Sequence, residues 1–325
     1  MARCSSTTTT PARCACRPAT RRPPRDEHPT GWVESGLRDC ELRPMKRTAR
    51  PRWKSLAVDR LLRYALRHWH ADAGWRAIEA LQRRGSPALL ARVIALCASP
   101  SARRRAVGVS IAAQLSHRAQ GGFALLAEEE TQRLLLRGLA DPHHDVVRAA
   151  VGGLGLRPHG ASVEALLRLA SHPDARMRWQ VAVALGSYEE PETIEGLIRL
   201  SADPWDEVRD WATFGLGTLR MEDTPAIRAA LRRNLDDADP DVRGEALVGL
   251  ARRRDEGIVD LLMERLTPDC HVYELDAAEA LGEPCLAARL RLIEEASRES
   301  AANSYWFSRL RAAIEACSAS KPIAA

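Results

Sequence analysis

Five short apolar segments end alike: Leu154-Gly155, Leu185-Gly186, Leu216-Gly217, Leu250-Ala251 and Leu281-Gly282 recur at steps of 31, 31, 34 and 31 residues. A proline stands 10 to 13 residues before each leucine, at Pro142, Pro173, Pro204, Pro240 and Pro268. A unit this short cannot bury its apolar face alone, so neighbouring units must stack and share one continuous core. The period therefore predicts an elongated repeat array rather than the one to three compact domains that 325 residues would otherwise allow.

Each unit reads as two helices. Helix A carries adjacent apolar residues six and seven positions before the proline, as in Leu135-Leu136, Leu166-Leu167 and Leu197-Ile198. Helix B opens with an apolar residue and an arginine: Met177-Arg178, Val208-Arg209 and Val242-Arg243. Proline suits a turn or a helix start, and aspartate there caps the free N–H groups of the next helix. The glycine of the Leu-Gly pair is expected to end helix B in a left-handed conformation. Arg148 lies six rather than seven residues before its leucine, which suggests a shifted start to that helix B, and Glu274 takes the arginine position in the last unit.

Outside the regular units the pattern changes. Residues 1–52 hold a threonine run, Pro23-Pro24 and scattered arginines without an apolar period, and are expected to be disordered. Met45 offers an alternative start, which would make residues 1–44 an untranslated upstream extension. Residues 53–118 predict basic N-terminal helical pairs, residues 126–283 the regular repeats, and residues 284–317 a pair of capping helices. Gln120-Gly121-Gly122 is the clearest break between the first two parts.

Hydrophobic residues make up 45% of the chain and aromatics 5%. Alanine and leucine dominate the apolar set, which suits close-packed helices, and the fold class is all-α. No secretory signal or membrane-spanning run is visible, and a cytoplasmic protein is expected. Cys97, Cys270, Cys285 and Cys317 read as small buried apolar residues, while Cys4, Cys14, Cys16 and Cys40 with His28 loosely suggest a metal knuckle without regular zinc spacing. No cofactor is expected.

Charge is divided along the chain. Residues 1–125 hold 24 basic and 8 acidic residues, and residues 126–283 hold 18 and 31, a net of −13. The basic end, with Arg67, His68, Trp69, His70, Trp75 and Arg103 to Arg105, could attract nucleic acid, but the acidic repeats would repel phosphate along most of the array.

The run Asp203-Pro204-Trp205-Asp206-Glu207-Val208-Arg209 leading to Leu216-Gly217 resembles the HEAT-like repeat of the phycobilisome-lyase type, as does Asp239-Pro240-Asp241-Val242-Arg243 leading to Leu250. The resemblance implies a right-handed α-solenoid of about seven antiparallel helix pairs, and it is specific for fold rather than function. It makes a protein-binding scaffold the leading expectation. An enzyme resembling a bilin lyase or an alkylpurine DNA glycosylase is the alternative. In a solenoid of this kind helix B lines the concave side. Trp179, Trp211, Arg178, Arg209 and Asp210 are therefore the candidate binding residues, weighed against packing between repeats for the tryptophans and against pairing with Asp174, Asp206 or Asp241 for the arginines. His143, His144 and His172 lie in turns, where solvated histidines are commoner than metal ligands. The HEAT-like di-iron hydroxylases use His-Glu pairs, and the chain contains no His-Glu dipeptide.

Overall fold

The computed structural model describes residues 53–297 and 304–319. The expected disorder of residues 1–52 and the Cys4, Cys14, Cys16, Cys40 and His28 group fall outside that range.

Sixteen α-helices stand in chain order among the described residues, and they form eight pairs. The pairs are α1 (Val58–Arg67) with α2 (Asp72–Gln82), α3 (Pro87–Cys97) with α4 (Ala102–Ala113), α5 (Glu128–Gly138) with α6 (His144–Leu156), and α7 (Val163–Leu169) with α8 (Ala175–Leu185). They continue as α9 (Glu192–Leu200) with α10 (Asp206–Phe214), α11 (Pro225–Asn234) with α12 (Pro240–Arg252), α13 (Ile258–Arg265) with α14 (Val272–Leu281), and α15 (Pro284–Ala296) with α16 (Ser304–Ser318). The second helix of each pair packs on the second helix of the next, from α2 through α16. The chain is an α-solenoid of eight helix pairs among the described residues, in line with the about seven expected, and the C-terminal pair stacks on it as the capping helices were expected to.

Position in the repeat sets what each residue does. Turn aspartates cap helix B: Asp174 accepts from the Arg176 N–H, and Asp239 from those of Asp241 and Val242. Pro240 opens α12 at a position where its missing N–H costs nothing. Leucines of the Leu-Gly pairs, Leu154, Leu185 and Leu216, are wholly buried, with Leu250 and Leu281 at 1% and 2% exposure.

The glycines of those pairs do not end helix B as expected. Gly155 lies inside α6, Gly186 is right-handed with φ −60°, and Gly217 sits in a π-helical turn, Gly215–Leu219, that continues α10. Only Gly282, with φ +57°, adopts the left-handed cap. Gly155 and Gly217 are small because neighbouring B helices touch there. A Cβ on Gly155 would lie 3.0 Å from the Ala184 Cα, and one on Gly217 would lie 3.0 Å from both the Glu245 carbonyl oxygen and the Gly249 Cα. At these two positions close backbone approach, rather than helix termination, calls for glycine, while Gly186 caps α8 against the Leu219 side chain.

The break at Gln120-Gly121-Gly122 is a β-hairpin, which the all-α reading did not anticipate. Ser116–Ala119 pairs antiparallel with Gly122–Leu125, and Gly121 takes φ +85° in the connecting turn. Its base is held where the Leu126 N–H donates to the Leu115 carbonyl and the Gly85 N–H to that of Ser116.

A second regularity closes each repeat on the side where helix B returns to the next helix A. Thr131, Ser162 and Thr193 recur every 31 residues and are all fully buried. Each hydroxyl meets a side chain from the loop that follows: Arg157 Nη1 donates to Thr131 Oγ1 at 2.9 Å, Tyr188 Oη lies 2.6 Å from Ser162 Oγ, and Arg220 Nη1 donates to Thr193 Oγ1 at 3.4 Å. Arg253, 9% exposed, takes the corresponding place after α12 and donates to the carbonyls of Leu216, Gly217, Arg220, Glu222 and Gly249. A buried guanidinium with this many acceptors is satisfied without a facing carboxylate.

Candidate functional site

Arg178 and Arg209, two of the candidate binding residues, are committed to the structure. Arg178 Nε and Nη2 grip Asp203 at 2.6 and 2.8 Å, and its Nη1 donates to the carbonyls of His172 and Pro173 in its own turn. Arg209 repeats the arrangement with Asp237 at 2.7 and 2.8 Å and the carbonyls of Asp203 and Pro204. Arg105 does the same with Asp141 and the carbonyls of Ser99 and Pro100. Each guanidinium thus ties the turn before its own helix to the turn of the following repeat. The partners are not Asp174, Asp206 or Asp241, because the fork points onward along the array rather than back into its own turn.

Each gripped carboxylate also organises its own turn by accepting the N–H two residues on: Asp141 from His143, Asp203 from Trp205, Asp237 from Asp239. Hydrogen bonds from Arg105 hold the Asp141 carboxyl below the usual carboxylate range. Burial pushes Asp203 and Asp237 upward, but the bonds from Arg178 or Arg209 and from the turn N–H outweigh it, and both end below their ordinary values.

One rung of the ladder is missing as a pair. Seven residues before Leu154 stands Val147, 8% exposed, and the next turn carries His172 where Asp141 and Asp203 stand in theirs. His172 Nδ1 still accepts the Asp174 N–H, so it keeps the turn but offers no anion to a neighbour. The helix start is therefore not shifted. Arg148 occupies the register of Trp179, and it pairs with Asp145 at 3.1 Å. Arg243 keeps the carbonyl contacts, with Asp237 and Ala238, while the next turn offers Thr267-Pro268.

The tryptophans come together. Trp179 on α8 and Trp211 on α10 have ring centroids 6.1 Å apart at 88°, and Phe214 lies 5.8 Å beyond Trp211 at 87°. All three are half-buried, and both tryptophans rest partly on the core between the repeats. They serve packing and surface at once. Phe214 was not among the sequence candidates, although it lies three residues, one helical turn, after Trp211. Asp210 is 1% exposed and points away from solvent, so it is no accessible acid. Exposed carboxylates stand instead at the turns, on Asp174 and Asp206.

Other candidates resolve differently. Trp69 is 5% exposed and packs 5.2 Å from Trp75, so these two rings do not form an exposed stacking pair. Arg103 and Arg104 are exposed, whereas Arg105 belongs to the ladder. His143, His144 and Asp145 bring one ligand atom each within 4.8 Å of one another, but His143 Nδ1 accepts the Asp145 N–H and Asp145 holds Arg148. Cys317 is buried and Cys97 and Cys270 are half-buried, with burial raising the Cys97 thiol to about 12, while Cys285 is exposed, contrary to expectation. No helix among the described residues is long and apolar enough to cross a membrane.

The family model for HEAT repeats matches residues 132–217 and 206–282. Protein YibA of Escherichia coli K12 is 35% identical over 77 residues, which is 24% of this chain and 26% of that protein, so the matched stretch spans about a quarter of the curated relatives' length. An X-ray structure of Escherichia coli YibA aligns with a TM-score of 0.61 at 23% identity, over 84% of this chain and 99% of that one, a likeness of fold. The CpcE and CpcF complex of phycocyanin lyase from a Nostoc species aligns at 15% identity and a TM-score of 0.41, over 85% and 99% of the two chains.

Proposed function

We propose that this chain, whose residues 132–282 are HEAT repeats, is a non-catalytic scaffold that binds another protein on the face lined by its B helices. The observation that carries the reading is the row of Trp179, Trp211 and Phe214, three half-buried rings supported by consecutive repeats. Large aromatic side chains lose little conformational freedom on contact and recur as binding hot spots. Arg178 and Arg209 hold the repeats that present the rings, and Asp210 is buried in the helix that carries Trp211, so these three support the surface while Trp179 and Trp211 make contact.

The test compares affinity capture and mass spectrometry on the intact chain with capture on a Trp179→Ala/Trp211→Ala variant whose helicity is confirmed by circular dichroism. A protein retained by the first, lost by the second, and rebound when purified supports the scaffold reading. Equal capture by both forms removes the B-helix face from the function.

A further inference from the structure

We propose that the first helix of the array is a nucleic-acid contact, in which Arg60, Arg63 and Arg67 of α1 meet the phosphates of a duplex. This function is separate from the protein-binding face on the B helices.

The arrangement of the three residues is the first reason. Positions 60, 63 and 67 fall in one stripe of an α-helix, and all three side chains are exposed, on the side of α1 opposite the buried Leu61, Leu62 and Ala65. Asp59 is the one acid of α1 and stands four residues before Arg63, yet it bridges to Arg92 at 2.5 Å. Exposed arginines on later A helices find an anion on their own helix, as Arg133 does with Glu130 and Arg168 with Glu164. The row on α1 works against its own helix. Like charges three and four residues apart repel, and Arg60 lies in the first turn, where the helix dipole disfavours a cation. Helix stability therefore gives no reason for the row, whereas a polyanion does.

The surrounding charge is the second. Residues 53–125 hold 12 basic and 3 acidic residues, and residues 46–54 bring five cations and no acid to the start of α1. Basic stretches of this density grip phosphate by releasing its counterions. Residues 126–283 carry a net −13, so the field reverses along the array and confines a polyanion to this end.

A duplex fits better than a single strand. Single strands are held largely by bases stacked on exposed rings, and here Trp69, 5% exposed, packs on Trp75. Guanidinium groups spread over about 10 Å of helix can instead hold a duplex backbone without reading its bases.

The experiment is fluorescence anisotropy of a short, mixed-sequence DNA duplex with the intact chain, between about 50 and 200 mM salt. Affinity should fall steeply with salt. Arg60→Gln/Arg63→Gln/Arg67→Gln, confirmed as folded by circular dichroism, should bind about tenfold more weakly at low salt and lower the slope of log affinity against log salt by about three. The matching triple lysine variant should keep most of the affinity, because a phosphate is held by a point charge as well as by a fork. Arg133→Gln/Arg137→Gln/Arg168→Gln removes the same charge from exposed positions on α5 and α7 and should change little. Native affinity in the α1 glutamine variant, or equal losses in both glutamine variants, would overturn the inference. Oligoglutamate bound as tightly as the duplex would make this a surface for acidic proteins, and a single strand bound more tightly than the duplex would equally sink the assignment.

Discussion

Arg178 and Asp203 are joined by two near-parallel hydrogen bonds, 2.6 and 2.8 Å long, although 25 residues separate them. One residue sits in the first turn of α8 and the other in the turn that precedes α10, so the pair crosses from one repeat to the next. With 13% and 6% of their side chains exposed, neither charge is well hydrated.

Removing one partner should leave the other buried and uncompensated. Arg178→Ala or Asp203→Ala is expected to cost about 2–4 kcal/mol, read as a fall in Tm or in the urea midpoint. Arg178→Lys should recover little, since an ammonium cannot reproduce the fork that also reaches the His172 and Pro173 carbonyls. A double-mutant cycle returning no coupling would show the pair to be incidental.

The three gripped carboxylates make stability depend on acid. Asp141, Asp203 and Asp237 all titrate below their unfolded value of about 3.9, so the stability they contribute is fully present above that value and is lost as pH falls through their folded pKa. Denaturant unfolding followed from pH 7 downward should weaken most steeply below about pH 4. Asp203→Asn should lower stability at neutral pH and flatten that acid limb. An unchanged slope would mean that other carboxylates govern acid unfolding.

The absent rung can be rebuilt. Val147→Arg alone should destabilise, because it places a cation where Val147 is 8% exposed and where position 172 supplies a histidine instead of an aspartate. His172→Asp alone should be near neutral. Together they should recover about 1–2 kcal/mol relative to the sum of the single changes. Additive single and double variants would show that the two turns do not approach as those of Arg178 and Asp203 do.

Glycine at the helix contacts is replaceable in one sense and not in another. Alanine favours a helix over glycine by about 1 kcal/mol, yet the new Cβ at position 217 would press on the backbone of Glu245 and Gly249. Gly217→Ala should therefore destabilise by about 1–3 kcal/mol, the overpacking outweighing the propensity gain. A stabilised variant would mean that α10 and α12 slide apart freely.

Much of this was legible from spacing. The leucine period located every helix B from α6 to α14, and the proline turns marked where they begin. It could not show what the glycines do, since a Leu-Gly pair looks the same whether the glycine ends a helix or admits a neighbouring backbone. The ladder was half legible: position marked Arg178 and Arg209 as turn-pairing residues, but choosing Asp203 over Asp174 needs the direction of the fork. Arg105 was hidden because its helix precedes the regular units. The hydroxyl period of Thr131, Ser162 and Thr193 was present in the sequence and invisible as a signal, because serine and threonine are common and only their burial sets these three apart. In the candidate site, Trp179 and Trp211 were found from their place on helix B, whereas the inward turn of Asp210 follows from packing that no single repeat contains.

The contacts across the return loops give the array an order in time. Thr131 meets Arg157, Ser162 meets Tyr188 and Thr193 meets Arg220, and in each case the later residue belongs to the segment that leads into the following repeat. On the ribosome the closing side chain is made within three residues of the end of the unit's own second helix, at Leu156, Leu185 and Leu219. Each unit is thus complete as soon as its return loop has emerged, and folding of these repeats can follow synthesis one unit at a time.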